Sequence, residues 1–105
     1  MKIVWAKQAS KSAKEIALYI NKSFGTKAKH EFLSAINDMI KKLEQNPLIG
    51  KLDPYMEGFA VEYRCVFVQR LSKVVYYVDG NKVTIVAFTD ARRDPINIAS
   101  QILQN

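Results

Sequence analysis

Apolar and polar residues alternate along this chain with two different periods, and the change between them divides it. Residues 2–5, KIVW, form a short apolar run rich in β-branched side chains and predict a first strand. From residue 7 to 23 the apolar positions recur three and four apart: Ala9, Ala13, Ile16, Ala17, Ile20 and then Phe24. That spacing draws one stripe along a helix, with Lys7, Lys11, Lys14 and Lys22 largely off it. Gly25 follows, placed to end the helix in a left-handed conformation. Thr26 is placed to cap a second helix over 27–45, whose stripe is Phe32, Leu33, Ile36, Ile40 and Leu43 with Met39 at its border. Asn46 and Pro47 stop it. So short a connection predicts an antiparallel helix hairpin.

NPLIGKLDPYMEG, residues 46–58, holds two prolines and two glycines and reads as a connector that packs Leu48, Ile49 and Leu52 onto the core. Beyond it the period shortens. FAVEYRCVFVQR, KVVYYVD and KVTIVAFTD are rich in Val, Tyr, Phe and Ile and predict three strands. Asp79-Gly80-Asn81 between the last two is a hairpin signal, and runs joined so closely must be antiparallel neighbours. VVYYV reads as a central strand covered on much of both faces. After Pro95, INIASQILQN predicts a short C-terminal helix or a tail. The order β-α-α-β-β-β-α is an α+β fold in one domain over 1–105. Its antiparallel sheet is covered on one face by the helix hairpin, whose two stripes need an apolar partner, and its other face is partly open.

Charge adds an asymmetry. The net charge of +6 lies entirely in residues 1–52, with ten lysines against four acids, while 53–105 balance at six and six. All four arginines (Arg64, Arg70, Arg92, Arg93) fall in the neutral half. Lysine excess is the ordinary make-up of a solvated face. A guanidinium near a sheet is more specific, because its planar fork suits phosphate and carboxylate. Arg92 and Arg93, in AFTDARRDP, follow the last strand and either pair with Asp90 and Asp94 or contact phosphate. Arg64 stands inside an apolar run, where it needs a partner: Glu62, or a ligand on the less covered face. Lys73 begins the next strand, and strand register decides whether Arg64, Lys73 and Arg93 line one basic face. Tyr55, Tyr63, Tyr76 and Tyr77 either pack the sheet or offer stacking surfaces for single-stranded RNA.

Other chemistry is thinly represented. A single histidine, His30, and a single cysteine, Cys65, exclude a zinc site of the usual kind and an internal disulfide. Cys65 reads as a small buried hydrophobe and His30 as exposed. No phosphate-binding or dinucleotide glycine motif occurs, so no cofactor is expected. No apolar run reaches the ~20 residues of a membrane span, and MKIVWAKQAS lacks a secretory apolar region, so a cytoplasmic location is expected.

The string YRCVFVQRLSKVVYYVDGNKVTIVAFTDARRDP, following two N-terminal helices and NPLIGK, resembles the RelE/ParE toxins of type II toxin–antitoxin systems over nearly the whole chain. The resemblance implies the same α+β fold and a cognate antitoxin that wraps the toxin, with a possible higher-order toxin–antitoxin complex. It implies one of two targets: mRNA cut on the ribosome, without a metal, or DNA gyrase poisoned by binding. A homologue that only binds antitoxin is the third alternative. Mapped by order, Arg64, Lys73 and Arg92 or Arg93 match the basic positions of the mRNA-cutting members, and on that mapping the mRNA-directed activity is the first expectation. Two positions depart from the pattern. INIASQILQN has no tyrosine, and Thr89-Asp90 stands where many members carry a histidine. Cleavage through a 2′-hydroxyl needs a base and an acid besides cations, and arginine cannot act as a base.

Overall fold

The structure, a computed structural model, describes residues 1–90. Five strands and two long helices follow in chain order: β1 (Lys2–Trp5), α1 (Lys7–Phe24), α2 (Thr26–Gln45), β2 (Lys51–Leu52), β3 (Arg64–Val68), β4 (Ser72–Asp79) and β5 (Lys82–Asp90), with a 3₁₀ turn at Pro54–Met56 before β3. The expected C-terminal helix and the arginines Arg92 and Arg93 lie outside the described residues. The sheet order is β1-β5-β4-β3-β2. Three of its pairings are antiparallel, as expected, but β1 joins β5 in parallel, Lys2 opposite Lys82. The count of reversals gives the reason: two helices and four further strands turn the chain six times, an even number, and so bring β5 alongside β1 in β1's own direction. No helix among the described residues is long and apolar enough to cross a membrane.

The helix hairpin covers one face. Ala9, Ala13 and Ala17 let α1 approach closely, and Phe32, Ile36, Met39 and Leu43 fill the space between α2 and the sheet. Val68, Val74, Tyr76, Val83, Ile85 and Phe88 meet them from below. Phe32 stands edge-on to Phe88, with ring centres 5.9 Å apart, and Trp5 stacks on the same ring. Some stripe positions depart from expectation. Phe24 is exposed beside Tyr19 at the hairpin tip and Leu33 is partly exposed, while Met39 is buried. Gly25 takes φ +95° and ψ 175°, an extended positive-φ geometry, and Thr26 begins α2 instead of capping it.

The connector also differs. Leu48, Ile49 and Leu52 are about half exposed, while Gly50, Asp53 and Met56 turn inward. The run expected as one long strand from Phe59 pairs only from Arg64 onward, because Phe59–Tyr63 belongs to the loop that crosses the second sheet face. The β4–β5 hairpin forms as predicted around Gly80-Asn81, with Asp79 opposite Lys82. Its ladder slips by one between Val75 and Tyr76, so that Val86 of β5 is an extra, bulged residue.

Candidate functional site

Register settles where the basic candidates point. Side chains alternate across a strand. Arg64 lies opposite Tyr76, and Lys73 lies opposite Phe67 on the same β3–β4 ladder. Lys73 and Tyr76 are three positions apart, an odd offset, so Arg64 shares the helix-side face with Tyr76 and Lys73 points to the other. The two cations therefore do not line one basic face.

On the helix side, Arg64 serves the NPLIGK loop. Its Nη1 donates to the Gly50 carbonyl at 2.8 Å, and not to Glu62. The Tyr76 hydroxyl, fully buried, donates to the Pro47 carbonyl at 2.8 Å and accepts from the Gly50 N–H at 2.9 Å. Burial raises the Tyr76 phenol above its ordinary value, while the Gly50 N–H and the Arg64 charge pull it back in part. A Cβ on Gly50 would stand 2.7 Å from both the Cys65 carbonyl and the Tyr76 hydroxyl, so only glycine fits. This loop is pinned by its backbone, which is why its apolar side chains are free to face outward.

On the second face, Lys73 meets Asp53 at 2.9 Å between Nζ and Oδ2, both side chains largely buried. The other oxygen of Asp53 accepts from the Tyr55 N–H at 3.0 Å, capping the 3₁₀ turn that Pro54 opens. The Lys73 ammonium also stands 5.1 Å from the centre of the Tyr55 ring. Below this pair Cys65, Val75 and Ala87 form a small apolar cluster with Tyr63 and Val86. Tyr63 packs edge-on against Tyr77 and Phe59, and burial raises its phenol. Burial likewise raises the Cys65 thiol, with Asp53 adding to the rise and Lys73 and Lys51 opposing it. Cys65 is thus the buried hydrophobe expected, on the side away from the helices that carry exposed His30.

Thr89 lies opposite Lys73 on β5, buried, and its hydroxyl is the one buried side-chain oxygen among the described residues without a partner. No group of three or more His, Cys, Asp and Glu side chains among the described residues could hold a metal. Sequence reasoning missed Gly50 and Asp53. The signal for Asp53 was present, since Asp-Pro is a cap followed by the residue best suited to a first helical position. Gly50 carried no local signal, because its partner hydroxyl is 26 residues away.

This layout, a helix hairpin on one face of a β1-β5-β4-β3-β2 sheet, is shared with solved toxin structures. A chain of the chromosomal ParDE toxin–antitoxin system of P. aeruginosa superposes with TM-score 0.68 at 18% identity, over 86% of this chain and 95% of that one. The YoeB dimer of Staphylococcus aureus gives 0.60 at 20% identity, over 89% and 98%. The YoeB/ParE toxin of Agrobacterium tumefaciens gives 0.58 at 19%, over 86% and 98%. Among curated proteins none matches. Fold and topology are thus those of the RelE/ParE class. Residues 3–95 match the ParE toxin of the type II toxin–antitoxin system parDE, and the chain belongs to that family.

Proposed function

We infer that this toxin acts by binding its target, in the manner of the gyrase-directed ParE toxins, and not by cutting mRNA. The observation that carries the reading is the Lys73–Asp53 pair. The ammonium that the sequence offered to RNA phosphate is engaged by a buried carboxylate. Arg64 is likewise engaged with a loop carbonyl on the opposite face. A nuclease site needs base, acid and cation converging on one phosphate, and the described residues bring no such set together. The family match over residues 3–95 supports the same side of the choice. On this reading Arg64 and Lys73 support the fold, and target contact falls to Arg92 and Arg93. No cofactor is required.

A neutralising antitoxin belongs to the proposal, as in the P. aeruginosa ParDE system and the S. aureus YoeB–YefM complex. The proposed site of action is the cytoplasm. The test is inducible expression with and without the neighbouring gene, following growth, DNA breaks and RNA 5′ ends. Expected are growth arrest, DNA breaks that vanish with a toxin-resistant gyrase, intact mRNA, and relief by the neighbour. New 5′ ends inside translated codons would overturn the reading in favour of the ribosome-dependent nuclease. Absence of arrest would overturn it in favour of a homologue that only binds antitoxin.

A further inference from the structure

The turn between β3 and β4 is built against its own sequence. The Leu71 N–H donates to the Val68 carbonyl at 3.2 Å, so Gln69 and Arg70 are the central pair of a four-residue turn. Both are left-handed, with φ +53° and +64°. Asn-Gly takes this turn without strain, whereas long side chains at both positions cost stability. No polar contact offsets that cost. Gln69, Arg70 and Leu71 are exposed, and no hydrogen bond or ion pair holds the Arg70 guanidinium among the described residues. Arg64, by contrast, is fixed to the Gly50 carbonyl.

The turn also has a telling place. Ser72, the first residue after it, pairs with Asp90, the last residue of β5. Arg70 therefore stands at the sheet end from which the sequence runs on to Arg92 and Arg93. Apolar surface lies on either side of it in the chain: Leu71 is 64% exposed and Phe67 is 49% exposed. Phosphate is held by cations acting together, and Lys73, just beyond the turn, is already taken by Asp53. A single free guanidinium beside exposed leucine and phenylalanine is instead the make-up of a protein contact.

We propose that this turn is a protein-contact element of the toxin, with Arg70 as its anchor and an acidic patch on the poisoned protein as its partner. The inference rests on the target-binding reading above, and it adds Arg70 to the Arg92 and Arg93 of that reading. The tight turn fixes the backbone from which the guanidinium extends, so contact orders the side chain alone. The strain belongs to this arrangement: Asn-Gly would relieve it and remove the anchor.

The test compares three full-length chains made by cell-free synthesis: wild type, Arg70→Glu, and Gln69→Asn combined with Arg70→Gly. Inhibition of purified DNA gyrase is the first readout and growth arrest on induction the second. The double variant should keep the wild-type circular dichroism and a denaturation midpoint at or above that of wild type. It should nevertheless need about tenfold more protein, or greater, to inhibit gyrase. Arg70→Glu, repelled by the acidic patch, should lose more. Higher stability with lower activity is a result that misfolding does not give. Equal inhibition by all three chains overturns the proposal, and Arg70→Glu no weaker than the double variant overturns the acidic partner. A wild type that spares gyrase but arrests growth refutes the target reading instead, and arrest then decides the turn: undiminished in both variants, it overturns the contact, and lost in both, it supports the contact on another target. A wild type that does neither overturns both.

Discussion

The two faces of the sheet are held by different means. On the helix side a broad apolar layer carries the fold, and its polar members, Tyr76 and Arg64, bond to neutral backbone carbonyls of the Pro47–Gly50 loop. On the second face the apolar cluster is small, and an ion pair, Lys73–Asp53, fastens the 53–63 loop. A hydrogen bond to a carbonyl tolerates loss of its partner at modest cost, because the donor's neighbours and water can compensate in part. A buried charge does not. Cations on opposite sides of one strand pair thus have unequal stakes in the fold, and substitutions can measure the difference.

The largest effect is expected from Asp53→Asn, which strands the Lys73 ammonium under its loop. Chemical denaturation should show a loss of about 3–5 kcal/mol. Adding Lys73→Met should recover most of it, because the apolar replacement needs no counter-charge while the asparagine at position 53 still caps Tyr55, and failure to recover would refute the stranded ammonium as the cause. Next comes Gly50→Ala, which drives a methyl into the Tyr76 hydroxyl and the Cys65 carbonyl. It should cost about 2–3 kcal/mol, in line with overpacking of a rigid site.

Tyr76→Phe should cost about 1–2 kcal/mol by orphaning the Gly50 N–H and the Pro47 carbonyl. It also has a pH signature. The fold raises the Tyr76 phenol above its unfolded value of 10.0, so the folded chain holds that proton more tightly. The stabilisation is complete below that value and declines as the pH rises above it towards the folded value. Wild type should therefore lose stability above pH 10 more steeply than Tyr76→Phe, and parallel curves would refute the cause assigned to the shift. The smallest effect is a gain. Gln69 and Arg70, between β3 and β4, stand at φ +53° and +64°, where ordinary side chains are strained. Gln69→Asn with Arg70→Gly should raise stability by about 1 kcal/mol, read as a higher denaturation midpoint.

The same contrast explains what the sequence disclosed. The helix stripes are periodic, and VVYYV-DGN-KVTIV states its own pairing, so the hairpins were legible from neighbours in the chain. Arg64 and Lys73 were legible as unusual residues but not as residues on opposite faces. That depends on the offset between β3 and β4, and the turn at Gln69-Arg70 that fixes the offset has none of the usual turn residues. Leu48, Ile49 and Leu52 were misread because hydrophobicity favours burial, and at this loop a backbone requirement, Gly50 against Tyr76, outranks it. Asp53 was legible as a cap, yet its ion pair crosses 20 residues and no local pattern announces it.

The parallel seam between β1 and β5 has a consequence in time. Lys2 and Lys82 are partners though eighty residues apart, and β1 waits for β5. Helix hairpin and β4–β5 hairpin can each form from local contacts as the chain emerges from the ribosome, but closure of the sheet costs the entropy of bringing together ends eighty residues apart. The sheet is thus closed only after β5 has been made, and a chain truncated before Ile85 leaves Trp5 without its seat.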